Sequence, residues 1–201
     1  MTTSQISTQL TAQVDSMALS TGRSSVLLAA AVLAGLQAGT YYTWASGVMP
    51  GLARTDDRTF VEAMQQMNVA IVNPVFMLSF LGAPLLAGAA IAACGPNARP
   101  WAIAGAALAV GTILITGAGN IPLNNALEAA GPVAQIKDLA AVRADFEGLW
   151  VRLNVARTLT SAGAMACLVW AALPRRSGRG LGAERRPDRR GRAAGRPGRS
   201  P

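Results

Sequence analysis

The sequence predicts an all-α fold, an integral membrane four-helix bundle with an extramembrane amphipathic helix and a disordered Arg-rich C-terminal tail. Three observations predict it. First, 51% of the 201 residues are hydrophobic, and they gather in four runs long enough for the ~20 residues that span a bilayer core. Second, these runs carry almost no charge, whereas the helices of a water-soluble bundle alternate charged and apolar faces. Third, Arg, Gly and Pro dominate from Pro174 onward, a composition that buries no core. The chain therefore divides into a polar, mobile N-terminal segment (1–22), a four-span domain (23–173) and the tail (174–201).

The charge fits the same picture. Net charge is +8, yet residues 1–173 balance eight basic against eight acidic side chains, and the excess lies in ten tail arginines facing only Glu184 and Asp188. Arginines next to a last span mark the cytoplasmic side and touch anionic lipid. They do not make a specific nucleic-acid surface. The expected location is the plasma membrane, multi-pass, with both termini cytoplasmic. The connections at the other end carry Arg54, Arg58, Lys137, Arg143 and Arg152, which pull against that orientation. Cys94 and Cys167 form no CxxC pair and read as free, buried thiols. The chain has no histidine, which removes imidazole metal ligation and the usual general base.

Taken in order, Met1–Gly22 lacks the apolar core of a cleavable leader and reads as mobile or as a short surface helix. The first span, Val26–Ala45, carries Ala31, Gly35 and Gly39 on one stripe, suited to close helix approach. Its far end turns polar and aromatic, with Gln37 and Tyr41 on one face. Gly47–Leu52 reads as a loop, and Thr59 with Glu62 as a capping box opening a helix. The second span, Val69–Ala93, contains Asn73-Pro74 and Pro84, both expected to kink it. Cys94–Pro100 is a tight turn that makes the second and third spans antiparallel neighbours. The third span, Trp101–Ile115 extended to about Gly119, leads to Asn120 and Asn124. These share a face if the helix continues past Pro122. Gly131–Trp150 repeats apolar residues at helical spacing and is expected to lie over the bundle mouth. The fourth span is Val155–Leu173.

The stretch leading into that last span organises the rest. Glu147, Trp150, Asn154, Arg157 and Ser161 follow at steps of three or four and so share one helical face. A charge at membrane depth costs about 2.5–3.5 kcal/mol on insertion scales, so Arg157 should face the bundle interior and meet partners. One end of the bundle collects them: Gln37 and Tyr41, Asn68 and Asn73, Asn120 and Asn124, then Trp150 and Asn154. Two readings fit. The residues form a self-satisfied polar knot that fixes helix register, or they line a half-apolar pocket for a flat, oxygenated ligand.

Four segments carry a resemblance: Gly47-Val-Met-Pro, Asn68-Val-Ala-Ile-Val-Asn73-Pro74, Asn120-Ile-Pro-Leu-Asn124 and Trp150-x-x-x-Asn154-x-x-Arg157. From Leu27 to Leu173 the chain resembles the anthrone-oxygenase-like family of small four-span membrane proteins. The resemblance implies oxidation of a polycyclic phenol by dioxygen with no metal or flavin cofactor. It implies that Arg157 stabilises the substrate anion, that Asn120, Asn124 and Asn154 hydrogen-bond ring oxygens, and that Trp150 walls the pocket. Glu147 is then the best-placed base, and Asn68, Asn73, Tyr41 and Gln37 contribute to substrate binding. The alternative is a non-catalytic membrane protein that binds a lipid-like or aromatic small molecule or supports a partner protein. The oligomeric state is open, since the Gly35/Gly39 stripe serves a dimer or a single bundle equally.

Overall fold

The structure is a computed structural model that describes residues 2–173; the tail and its expected disorder lie outside the described residues. Helix α1 (Thr3–Thr43) runs through a single π-type turn, Trp44–Val48, into α2 (Met49–Leu52). Then come α3 (Asp57–Ala70), α4 (Pro74–Ala93) and α5 (Arg99–Ile115). A second π-type turn, Thr116–Asn120, joins α5 to α6 (Ile121–Ala129), and α7 (Leu139–Ala172) closes the bundle. Four of these rods are long and apolar enough to cross a membrane: Thr21–Leu52, Pro74–Ala93, Arg99–Ala129 and Leu139–Ala172.

The side chains are arranged inside out relative to a water-soluble bundle. The core is built mainly of alanines, including Ala30, Ala34, Ala83, Ala87, Ala102, Ala109 and Ala164, with Leu27 and Leu168. The large apolar residues, such as Leu36, Leu78, Leu85, Leu114 and Leu159, point outward. Lipid tails are as apolar as leucine, so small residues inside gain close backbone contact while large ones lose nothing by facing acyl chains. Gly105 shows the closeness: a Cβ there would sit 2.8 Å from Leu168 Cγ and 3.3 Å from the Ala164 carbonyl. The small stripe on α1 is used in part. Ala31 is buried and Gly35 faces Met165, while Gly39 faces open space. α1 and α5 each pack against both α4 and α7, so α4 and α7 form the diagonal pair.

Several boundaries differ from expectation for local reasons. α1 begins at Thr3, so the polar N-terminal segment is helical and continuous with the first span. α3 starts at Asp57 because Asp56, rather than Thr59, is the cap: its carboxylate accepts from the Thr59 backbone N–H at 3.0 Å. Asn73-Pro74 ends one helix and starts another instead of kinking a single span. Pro74 takes the first turn of α4, where no N–H is needed, and Asn73 caps it. Pro122 sits likewise in the first turn of α6, so the third rod continues through the π-type turn. The amphipathic pattern of 139–150 forms the opening turns of α7 itself and does not lie as a separate helix across the mouth. The amphipathic helix outside the four spans is α3, which buries Phe60, Val61 and Met64 on one face.

Candidate functional site

The polar end of the bundle forms both a knot and a void, arranged around Arg157. α7 buries Trp150, Asn154, Arg157 and Ser161 along one stripe, as the three-and-four spacing requires. Arg157 Nη2 donates to Asn154 Oδ1 at 3.0 Å, and Asn154 Nδ2 donates to the Tyr41 carbonyl at 3.0 Å. The guanidinium carbon lies 4.4 Å from the Tyr41 ring centre and 5.2 Å from that of Trp150. A cation deprived of water is thus held by an amide oxygen and two aromatic faces. Among the described residues no carboxylate pairs with it. Trp150 Nε1 donates to Asn124 Oδ1 at 2.9 Å. Asn120 Nδ2 approaches the Trp150 carbonyl at 3.5 Å, long for a hydrogen bond.

Beside this knot lies a cavity of about 250 Å³. Its polar lining is Thr40, Tyr41, Asn68, Thr116, Asn124 and Arg157, with Trp44 and Trp150 adding indole faces. Both π-type turns flank it: Trp44 lies in the first and Thr116 in the second. Such turns rotate the residues after them relative to a plain α-helix and are frequent at functional sites. Three lining residues carry a buried donor with no hydrogen-bond partner, namely Arg157 Nε, Asn68 Nδ2 and the Tyr41 hydroxyl. Thr116 and Arg157 are close enough to that hydroxyl to act on it electrostatically, but not with ordinary hydrogen-bond geometry. Orphaned buried donors are costly, and three around one void define a surface that lacks acceptors.

The residues singled out from the sequence separate into three groups. Arg157, Trp150, Asn124, Asn68 and Tyr41 line the cavity. Asn154 and Asn120 are fully buried behind it and position the lining residues. The remaining three lie elsewhere. Gln37 donates to Ser79 at 2.7 Å beside a separate void of about 10 Å³. Asn73 is taken up by the α3–α4 break: it accepts from the Phe76 N–H at 3.0 Å and donates to the Ala70 carbonyl at 3.0 Å. Glu147 accepts from Arg143 Nε at 2.7 Å, so it belongs to a different cluster and does not line the cavity.

That cluster escaped sequence reasoning. Arg143 also donates to Asp57 at 3.0 Å and to the Thr55 and Ala53 carbonyls, and it lies over the Phe60 ring. It ties the α2–α3 connection to α7. The glutamate four residues on was the available signal, since such pairs meet on a helix face. Phe76, Met77 and Phe80, which form the α4 wall of the cavity, gave no signal because they are apolar residues inside an apolar run.

The arrangement can hold an acceptor-rich, flat guest against a fixed cation. Among the described residues no group of three or more metal-ligating side chains comes together. Among curated proteins and among solved structures nothing matches. The family model described as anthrone oxygenase matches residues 64–167, a stretch that runs from inside α3 through Asn68, Asn124, Trp150 and Arg157 to Cys167. With that match over half of its length, the chain belongs to the anthrone oxygenase family.

Proposed function

We propose that the cavity binds a polycyclic phenol of the anthrone type as its oxyanion and exposes it to dioxygen, with no metal or flavin taking part. The observation that carries this reading is the set of three unpartnered donors, Arg157 Nε, Asn68 Nδ2 and the Tyr41 hydroxyl, around one cavity. An oxygen-rich guest offers acceptors to these side chains as they turn toward it, and an anionic one also neutralises Arg157. Glu147 is held by Arg143, and among the described residues no carboxylate lines the cavity. Solvent therefore takes the protons: before binding, the ring ketone tautomerises, its methylene C–H proton going to water and a proton arriving at oxygen, and on binding the enol O–H proton passes through the polar end of the cavity to water, because the cavity favours the anion. The anion gives one electron to dioxygen, the radical pair joins at the ring carbon opposite the oxyanion, the peroxide anion formed takes back a proton from water, and the resulting hydroperoxide loses water. Anthrone plus dioxygen gives anthraquinone plus water, with atoms and electrons balanced.

Oxygen uptake by the full chain in phosphatidylcholine vesicles, supplied with an anthrone, tests this reading. One dioxygen is consumed per quinone, and Arg157→Gln lowers the rate at least about a hundredfold, as loss of one preorganised charge donor does. Uptake no faster than in protein-free vesicles, across several anthrones, would sink it. The absence of a lining carboxylate favours a second reading, in which the protein holds such a molecule without turning it over. Retention of the ligand without oxygen uptake is its signature.

A further inference from the structure

The cavity is two-faced. Its unpartnered donors come from α1, the end of α3 and α7, whereas the wall supplied by α4 is wholly apolar: Phe76, Met77 and Phe80. α4 stands diagonally across from α7. Between α4 and α6 the rim is formed by Val72, 70% exposed, and Ile121, 45% exposed. Depth follows from helix geometry. At a rise of about 1.5 Å per residue, Arg157 lies roughly 24 Å along α7 from Leu173, and Phe80 roughly 20 Å along α4 from Ala93. Both distances fall inside a hydrocarbon layer of about 30 Å. The same count puts Val72 roughly 32 Å from Ala93 and Ile121 roughly 33 Å from Arg99, so the rim lies at the edge of that layer and the phenylalanine wall lies below it.

We infer that the guest sits edge-on in the cavity. Its oxygen-bearing edge meets Arg157, Tyr41 and Asn68, and its hydrocarbon edge faces Phe76 and Phe80. Those two phenylalanines, stacked at 5.5 Å, determine specificity: they offer no hydrogen bond, so an oxygen on that edge of the guest is left unpaired. The inference rests on the cavity being the ligand site and does not require turnover. It has a consequence for the chemistry. In an anthrone the carbonyl carbon and the methylene carbon lie across the middle ring from each other. A carbonyl held at Arg157 places the methylene carbon against the phenylalanine wall, an apolar surface suited to dioxygen, which is more soluble in hydrocarbon than in water. The quinone formed there carries a new oxygen facing the phenylalanines. Its binding is weakened at that edge, and it leaves.

Two isomeric anthrones test the orientation, one with hydroxyls flanking the carbonyl and one with hydroxyls flanking the methylene. Retention of each by the full chain in phosphatidylcholine vesicles is measured under argon, with protein-free vesicles correcting for partition. The carbonyl-flanked isomer is expected to be retained at least about tenfold better. Phe80→Asn, or Phe76→Asn, supplies a donor at that wall and should narrow the ratio to within about threefold. Equal retention of the two isomers by the wild type overturns the orientation while leaving the ligand site standing, as does a ratio that neither substitution changes. Retention of neither isomer overturns the ligand site and this inference together.

Discussion

At the scale of single residues, the site depends on which buried polar groups have partners and which do not. Asn154 is spent on structure: it accepts from Arg157 and donates to the Tyr41 carbonyl, joining α7 to α1. Asn154→Ala removes both bonds and leaves the guanidinium without its amide partner. We expect a loss of about 1–3 kcal/mol in stability, read as a lower midpoint of thermal unfolding in detergent, together with weaker ligand retention. Glu147 gives the opposite expectation. Because it pairs with Arg143 rather than lining the cavity, Glu147→Gln should leave the rate of oxygen uptake and its pH profile unchanged within about twofold, the size of change a partly exposed ion pair allows. A rate that collapses and shifts its pH dependence would return Glu147 to the role of base.

At the scale of elements, close packing and capping decide what is tolerated. Gly105→Ala on α5 drives a methyl into Leu168 and toward the Ala164 carbonyl, and should cost about 1–3 kcal/mol. Gly111→Ala on the same helix meets nothing within 4 Å and should be neutral or slightly stabilising; a matched pair of unfolding curves tells them apart. The start of α3 has its own test in pH. The Thr59 backbone N–H and hydroxyl hold the Asp56 carboxyl below its ordinary value. Its contribution to the helix is therefore fully present above the unfolded carboxylate range near about 4 and is lost as pH falls through the lowered value. Hydrogen-exchange protection at the first amides of α3, taken against the intrinsic rate at each pH, should fall over that window in the wild type and show no such step in Asp56→Ala. Much of this layer was legible in the sequence. The four spans follow from hydropathy, and the stripe Trp150, Asn154, Arg157, Ser161 follows from helical spacing alone. Spacing places a residue around its own helix but says nothing about which neighbour it meets. Asn73 could thus be a cap or a ligand group until the α3–α4 break assigned it to the cap. Arg143 shows the same limit, since its partner Asp57 is 86 residues away in sequence. Phe76 and Phe80 were illegible because hydropathy treats every apolar residue of a span alike.

At the scale of the whole molecule, the two ends of the bundle are chemically opposite. The cavity, both π-type turns and the Arg143 cluster crowd one end, while the tight turn Cys94–Ala98 and the end of α7 mark the other. Arg23 and Leu173 meet at the second end, beside the turn after Cys94, and ten arginines follow Leu173 in the sequence. The first end carries basic residues too, but Arg143 is engaged by Asp57 and Glu147, and Arg54, Arg58, Lys137 and Arg152 are spread over separate connections. Positive residues crowded directly against a span act more strongly on its orientation than scattered ones. We therefore expect the cavity end to face away from the cytoplasm. In a background with both native cysteines replaced, Lys137→Cys on the α6–α7 connection should react with a membrane-impermeant maleimide in intact cells, and Asn97→Cys on the α4–α5 turn only after permeabilisation. Both positions are exposed, so labelling reports sidedness rather than burial. The reverse pattern would put the cavity at the cytoplasmic face. In either case the rim stays at the edge of the hydrocarbon layer and Phe80 within it, because those depths are set by the length of α4 and not by which way it points.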